Sequence, residues 1–437
     1  MENIACTGIS DDIIANQSDR KTQDMAKIFF IDVTNRDGVQ TARLSLSKLQ
    51  KTMINMYLND FGVFQSEFGF PTTNHENNYL RANLELASMG VLRPIRLSGW
   101  IRATSEDVEK TFEMVPEIEY LNLSISTSEQ MIQGKFKGRK SRVDVLEQMV
   151  EAVKLANRLG AKAVGVNAED ASRTEVDFLV DFAREAKAAG GDRFRYCDTL
   201  GYDDPFTIYE TISKIANATS MPVEIHCHGD LGMAVANSIA GAKAAVDAGQ
   251  DAYINTTLNG IGERAGNADL LSCVLALLKS RGFANKYKMG RPVKLNRAYK
   301  LAKYASLAFG VPIPLNQPGV GENAFAHSSG IHADGVLKDP ENYELYNFEE
   351  LGRGEPELVE TGRLICSGEY TGISGFSHIM GKMEVSFANA SEARKILELV
   401  RYANVEAQTP LTEDELHFIA KYPEITRRLL TLTPPTV

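Results

Sequence analysis

The chain has 437 residues, 43% of them hydrophobic and 24% charged, with a formal net charge of -10. That length suits a barrel of about 250 residues plus an appendage. The acidic balance argues against nucleic acid or an anionic membrane as the main partner, while leaving room for an anionic small substrate at a locally basic site.

The first residues, MENIACTGISDDIIANQSDRKTQ, mix acids, amides and hydroxyls and lack a basic stretch followed by an apolar one. They read as an N-terminal extension over 1–26 and not as a secretory signal. From residue 27 short β-branched or aromatic runs alternate with helical patterns. The runs are IFFIDVT (28–34), VFQSEFG (63–69), IRLSGWI (95–101), YLNLSIS (120–126), KAVGVNA (162–168), RFRYCDT (193–199), PVEIHCH (222–228) and AYINTTL (252–258). Between them, segments such as VDVLEQMVEAVKLANRLG carry apolar residues at three- and four-residue spacing, with Gly160 and Gly249 closing helices. Eight strand–helix units predict an α/β fold, a (β/α)8 TIM barrel over 27–285, in preference to an open doubly wound sheet. Past that point the rhythm stops, and 286–437 reads as a mainly helical C-terminal appendage. Its signals are RPVKLNRAYKLAKYASLAFG, SEARKILELVRYANV and LTEDELHFIAKY, the last with a capping box between Thr412 and Glu415. The five cysteines, at 6, 197, 227, 273 and 366, are scattered without CxxC spacing. With no run of about 20 apolar residues, this fits a reduced cytoplasm and no membrane span.

In a barrel the chemistry collects where strands end. Arg36 and Asp37 follow strand one, Glu67 closes strand two, and Ser126 closes strand four. Glu169 and Asp170 follow strand five, Asp198 closes strand six, and His226 and His228 close strand seven. Asn259, Glu263 and Asn267 follow strand eight. Two histidines two apart on a strand point to one face. With a carboxylate across the ring they make half of an octahedral metal site. Structural hydrogen bonding is the competing reading for such a pair, and an ordinary turn is the competing reading for Arg36-Asp37-Gly38. If Arg36 lies beside the metal, it would face a developing oxyanion. The Gly-rich segment GIGERAGN (260–267) could hold an anion on its backbone, or Glu263 and Arg264 could simply pair. His332 lies in a Gly-flanked polar loop, and for it and Tyr343 alone, solvation and packing are the default roles. Cys197 and Cys227 read as small core residues.

At these positions the chain resembles the acetyl-CoA-dependent 2-oxo-acid synthases, which comprise 2-isopropylmalate, homocitrate, citramalate and Re-type citrate synthases. The segments IDVTNRDGVQTA, HCHGDLGMAVANS, NGIGERAGNADL and AFAHSSGIHADGVLKDPENYE carry the resemblance, in order, from about residue 27 to beyond 345. It implies metal ligation by Asp37, His226 and His228 with Asn267 contributing, and polarisation of the keto group by Arg36. It assigns proton transfer and acetyl activation to Glu169, His332 and Tyr343. It implies acetyl-CoA as co-substrate, a divalent cation (Mn2+ or Mg2+ ahead of Co2+ or Zn2+), and homodimers whose appendage reaches the neighbouring barrel. Asn35 and Gly229 depart from the family pattern close to the metal. The chain also ends where many 2-isopropylmalate synthases continue into a leucine-binding domain, so feedback inhibition through such a domain is not expected.

The 2-oxo acid is chosen by the wall opposite the metal. Asn122, Ser124 and Ser126 should face the barrel interior, while Leu121, Leu123 and Ile125 pack on helices. Arg96 and Ser98 share a face of strand three, Gln65 and Glu67 one of strand two, and Thr257 closes strand eight. A polar wall with Arg96 suits a second carboxylate, because buried polar groups without partners are costly. The expectation is therefore oxaloacetate, giving citrate, with 2-oxoglutarate (homocitrate) and 2-oxoisovalerate (2-isopropylmalate) as alternatives, and pairing of Arg96 with Glu224 as the structural alternative. A barrel lyase of the 3-hydroxy-3-methylglutaryl-CoA type would share the metal logic but carry a Gly-Gly-Cys-Pro loop near strand eight, where this chain has GERAGN.

Overall fold

The computed structural model describes residues 26–354 and 365–434. All but the last residue of the N-terminal extension, and with it Cys6, lies outside them. Eight strands form the frame: β1 (Lys27–Asp32), β2 (Gln65–Gly69), β3 (Arg96–Arg102), β4 (Tyr120–Ser126), β5 (Ala163–Glu169), β6 (Arg193–Asp198), β7 (Val223–Cys227) and β8 (Ala252–Thr256). Each pairs in parallel with its successor, and β1 pairs with both β8 and β2, so the sheet closes into a barrel. A two-residue strand, β9 (Lys288–Met289), adds to the start of β1. The expected TIM barrel is the observed fold.

Helices cover the outside: α1 (Lys48–Phe61), α2 (Asn77–Ser88), α3 (Ser105–Met114), α4 (Glu129–Phe136), α5 (Arg142–Arg158), α6 (Val176–Ala188), α7 (Pro205–Thr219), α8 (Ala234–Asp247) and α9 (Leu270–Lys279). Their boundaries are written in the sequence. Ser47 opens α1 in a capping box with Gln50, and Asp204 caps α7 ahead of Pro205. The strands are buried on both faces, as parallel strands under helices must be. Helix α4 is an extra element between β4 and α5 that the sequence reading passed over.

The appendage contains α10 (Ala298–Phe309), α11 (Gly330–Lys338), α12 (Ile373–Lys382), α13 (Ala390–Ala407), α14 (Glu413–Lys421) and α15 (Pro423–Leu429). Five of these lie against the barrel or one another through apolar faces: α10 on α1, α15 on α2, α13 and α14 beside them, and α12 on α13 through Phe376 and Met380. Tyr304 of α10 donates to Glu415 of α14 at 2.8 Å, and the capping box of Thr412 with Glu415 forms as read. Helix α11 differs, because none of its residues is buried. It also corrects the sequence reading, since His332 stands on this helix and not in a loop.

Inside the barrel, side chains stack in layers. Phe29 and Tyr253 stack with centroids 4.8 Å apart, and Phe64 tilts onto both, filling the N-terminal end. Above them lies a layer of ion pairs, and above that the mouth.

Candidate metal and substrate site

The ion-pair layer decides how the mouth is built. Arg195, on β6, is fully buried and bridges Glu67 of β2 at 2.6 Å and Glu224 of β7 at 2.5 Å. Arg193 pairs with the other oxygen of Glu224, and Asn122 donates to Glu67 at 2.6 Å. Glu67 also takes Arg36 Nε at 2.6 Å, and Arg36 donates through its next nitrogen to Asp37 Oδ1 at 2.7 Å. Three guanidiniums and three carboxylates thus neutralise one another in a low-dielectric interior, where an unpaired charge would be expensive. The guanidinium of Arg36 also lies 5.3 Å from the ring centre of Trp100, which fixes its plane.

At the mouth, Asp37, His226 and His228 come together. One donor atom from each lies within 4.8 Å of the others, and all three residues are buried. His226 Nε2 and His228 Nε2 are 3.2 Å apart, and Asp37 Oδ2 is 3.7 and 3.9 Å from them. Burial pushes the His226 imidazole down to about 3, and the same cause lowers His228, against the pull of Asp37. Both rings are therefore neutral at pH 7, with lone pairs available to a cation. Burial pushes the Asp37 carboxyl upward, but Arg36 and the two histidines outweigh it and hold the group well below the usual carboxylate range.

Asn267 donates to Asp37 Oδ2 at 2.6 Å, and its own Oδ1 is buried with no partner. A neutral-nitrogen, carboxylate and amide-oxygen set of this kind suits a divalent cation. Two glycines make room for it. A Cβ on Gly262 would fall 1.6 Å from Asn267 Oδ1, and Gly266, at φ +86°, lies where a Cβ would meet Gly260 O at 2.1 Å.

The other candidates fall as follows. Glu169 accepts from Ser126 at 2.5 Å and from Lys135 of α4 at 2.7 Å; the lysine is a partner the sequence reading missed. Ser124 is half-buried, and Thr257 has its hydroxyl buried without a partner. Asn122 meets Glu67 and Ser98, so the polar face of β4 does point inward. Arg96 is not brought to the mouth. It opens β3 at the N-terminal end of the barrel, over the rings of Phe64 and Tyr120, and it does not reach Glu224, which belongs to Arg193 and Arg195. Asn35 points outward, donating to Lys51 O and Asn55 of α1, so its departure from the family pattern does not touch the metal ligands.

In the Gly-rich segment Arg264 pairs with Asp230 at 2.9 Å, leaving Glu263 at 4.0 Å. Asp269 caps α9, its carboxylate accepting from Ser272 N at 2.8 Å. Asp198 shapes the following turn by accepting from Tyr202 N at 2.8 Å. Burial raises the thiols of Cys197 and Cys227, as suits core residues. His332 and Tyr343 stack on each other at 4.1 Å, exposed on the appendage. No helix among the described residues is long and apolar enough to cross a membrane.

Two family models match successive parts of the chain. Residues 27–303 match the family described as HMGL-like, and 320–406 match the family described as homocitrate synthase post-HMGL domain-like. The citrate (Re)-synthase of Dehalococcoides mccartyi is 66% identical over 94% of this chain and 99% of that protein. The 2-isopropylmalate synthase 2 of Caldanaerobacter subterraneus is 38% identical over 90% and 94%, and homocitrate synthase 1 of a Nostoc species is 34% identical over 91% and 98%. Among solved structures, the hydroxymethylglutaryl-CoA lyase of Pseudomonas aeruginosa superposes with a TM-score of 0.52 at 17% identity, over 66% of this chain and 96% of that one, a likeness of fold alone. The chain belongs to the HMGL-like family.

Proposed function

We propose that the protein is an acyltransferase that condenses acetyl-CoA with oxaloacetate and hydrolyses the thioester to give citrate, in the manner of a Re-type citrate synthase. The observation that carries the reading is the 66% identity with a citrate (Re)-synthase over nearly the full length of both chains. The site is consistent with it: the layer under the mouth is charge-neutral, so a divalent cation would leave the net positive charge that a dicarboxylate complements.

Asp37, His226 and His228, with Asn267, would hold the cation, which supplies Lewis acidity toward a 2-oxo acid. Arg36, fixed by Glu67 and Asp37, is placed to stabilise negative charge developing on the keto oxygen. A base takes a proton from the acetyl methyl group, and the methyl carbon bonds to the keto carbon. The oxyanion takes up a proton, and water cleaves the thioester, releasing CoA. Glu169, His332 and Tyr343 are the residues we assign to these proton transfers. Ser124, Ser126 and Thr257 we assign to the wall around the substrate.

His332 and Tyr343 would act on the site of a second copy. Exposed Ile331, Leu337 and Leu345 on the α11 segment, exposed Tyr202 and Leu231 on the loops after β6 and β7, and exposed Phe206 in the first turn of α7 are apolar surface of the kind that association covers. We accordingly infer a homodimer, with a catalytic barrel over 27–285 and an appendage over 286–437. Cys197, Cys227, Cys273 and Cys366 are unpaired, which fits a cytoplasmic enzyme.

The test is free-thiol release from acetyl-CoA with each 2-oxo acid, with Mn2+, Mg2+, Co2+ or Zn2+ added to metal-stripped protein. Release with oxaloacetate is expected; release with 2-oxoisovalerate alone would replace the citrate reading by that of a 2-isopropylmalate synthase. Mixing inactive His228→Ala and His332→Ala proteins should restore part of the rate through mixed dimers. No restoration in a verified mixed dimer would place both residues in one chain's site.

A further inference from the structure

Behind His226 runs a line of buried side chains that takes no direct part in the condensation. His226 Nδ1 lies 3.1 Å from Asn255 Oδ1, and Asn255 Nδ2 donates to Glu224 Oε1 at 2.7 Å. Asn255 is 1% and Glu224 0% exposed. Glu224 is ion-paired to Arg195 and Arg193, so it has only acceptor oxygens to offer. The amide of Asn255 must therefore turn its NH2 to Glu224 and its oxygen to His226. That oxygen is satisfied only if His226 carries its proton on Nδ1. The lone pair is then left on Nε2, the nitrogen that faces His228 and Asp37. His228 has no such support, because its Nδ1 is buried without a partner.

We propose that Asn255 is a positioning residue that, oriented by Glu224, fixes His226 in the tautomer presenting Nε2 to a divalent cation. The inference rests on reading Asp37, His226 and His228 as metal ligands. A ligand histidine whose far nitrogen is held loses neither ring orientation nor tautomer before the metal arrives. The wiring is one-sided, so His226 is the preorganised ligand and His228 the one that adjusts.

The test uses the full chain, metal-stripped and labelled with 15N-histidine. Nitrogen–proton correlation spectra should show His226 protonated at Nδ1 in the wild type. Asn255→Leu should lose that preference and weaken Mn2+ binding, followed by the EPR signal of free Mn2+, by about 10- to 100-fold. Asn255→Asp can accept from His226 and, when protonated, donate to Glu224. It should restore the Kd to within about threefold of wild type even if its Tm falls, which a merely structural role would not produce. Wild-type His226 protonated at Nε2, or an unchanged Kd in Asn255→Leu, would overturn the role of Asn255. Wild-type protein that binds no Mn2+ would overturn the metal reading itself and the proposal with it.

Discussion

Replacing Glu67 by glutamine removes one negative charge from the layer beneath the mouth and leaves the shape nearly unchanged. Glu67 is fully buried and accepts from Arg36, Arg195 and Asn122, each at 2.6 Å. Burial pushes its carboxyl upward, yet Arg195 and Arg36 outweigh burial and hold it at about 2, against 4.5 for a free glutamate. The folded value is the lower one. The stabilisation is thus fully present above about pH 4.5 and is lost as the pH falls toward 2. The gap between those values is worth about 3 kcal/mol, at about 1.4 kcal/mol per pH unit. Removing one partner of a buried pair costs about 3–5 kcal/mol by a separate route, because Arg36 and Arg195 share one carboxylate fewer and keep only Asp37 and Glu224. For a chain of this length unfolding entropy is about 0.9 kcal/mol/K, so Glu67→Gln should lower Tm by roughly 3–5 °C at pH 7. Near pH 3 the gap to wild type should narrow, since wild-type Glu67 gives up part of its contribution there. Activity should fall further than stability, because Arg36 loses the partner that aims it; loss of one preorganised oxyanion donor costs about 100- to 1000-fold in kcat. Calorimetry at two pH values and steady-state kinetics measure both. A Tm within about 1 °C of wild type at pH 7, with kcat unchanged, would refute the reasoning.

Three further substitutions probe the same architecture. Gly262→Ala puts a methyl group where Asn267 Oδ1 lies, so Asn267 must leave Asp37, and Mn2+ affinity should drop by at least about tenfold, read by EPR titration. Arg96→Ala removes a cation from Phe64 and Tyr120 at the far end of the barrel. KM for the 2-oxo acid should stay within about twofold, and stability should fall by no more than about 1 kcal/mol; a large rise in KM would restore Arg96 to the substrate site. Lys135→Ala breaks a partly exposed ion pair with Glu169, so Tm should move by less than the equivalent of about 1 kcal/mol, while kcat responds if Glu169 handles a proton; an unmoved kcat would count against that role.

The barrel was legible because its signals are local. Each strand is a short run buried on both faces, and each helix carries its own apolar spacing and caps, so eight units could be counted without knowing how they pair. The metal trio was legible for a related reason. His226 and His228 share a strand, and in a closed parallel barrel everything that follows a strand arrives at one rim, which brings Asp37 to them across the ring. What the sequence could not show is which interior side chains meet across the barrel, since those pairs join residues far apart in the chain. Arg195 reaches Glu67 over 128 positions, and nothing local distinguishes its alternation with Phe194 and Tyr196 from that of an ordinary strand. Arg96 failed for the same reason in reverse. Its face was read correctly, but its height along the strand was not: the first residue of β3 sits at the sealed end, where aromatic rings occupy the space that a substrate would need. Height on the barrel axis, more than face, separates a binding residue from a packing one. Register explains Asn255 as well: it stands beside His226 on the neighbouring strand β8, one residue past the Ile254–Ile225 pair, and reaches Nδ1 of the ring from within the barrel.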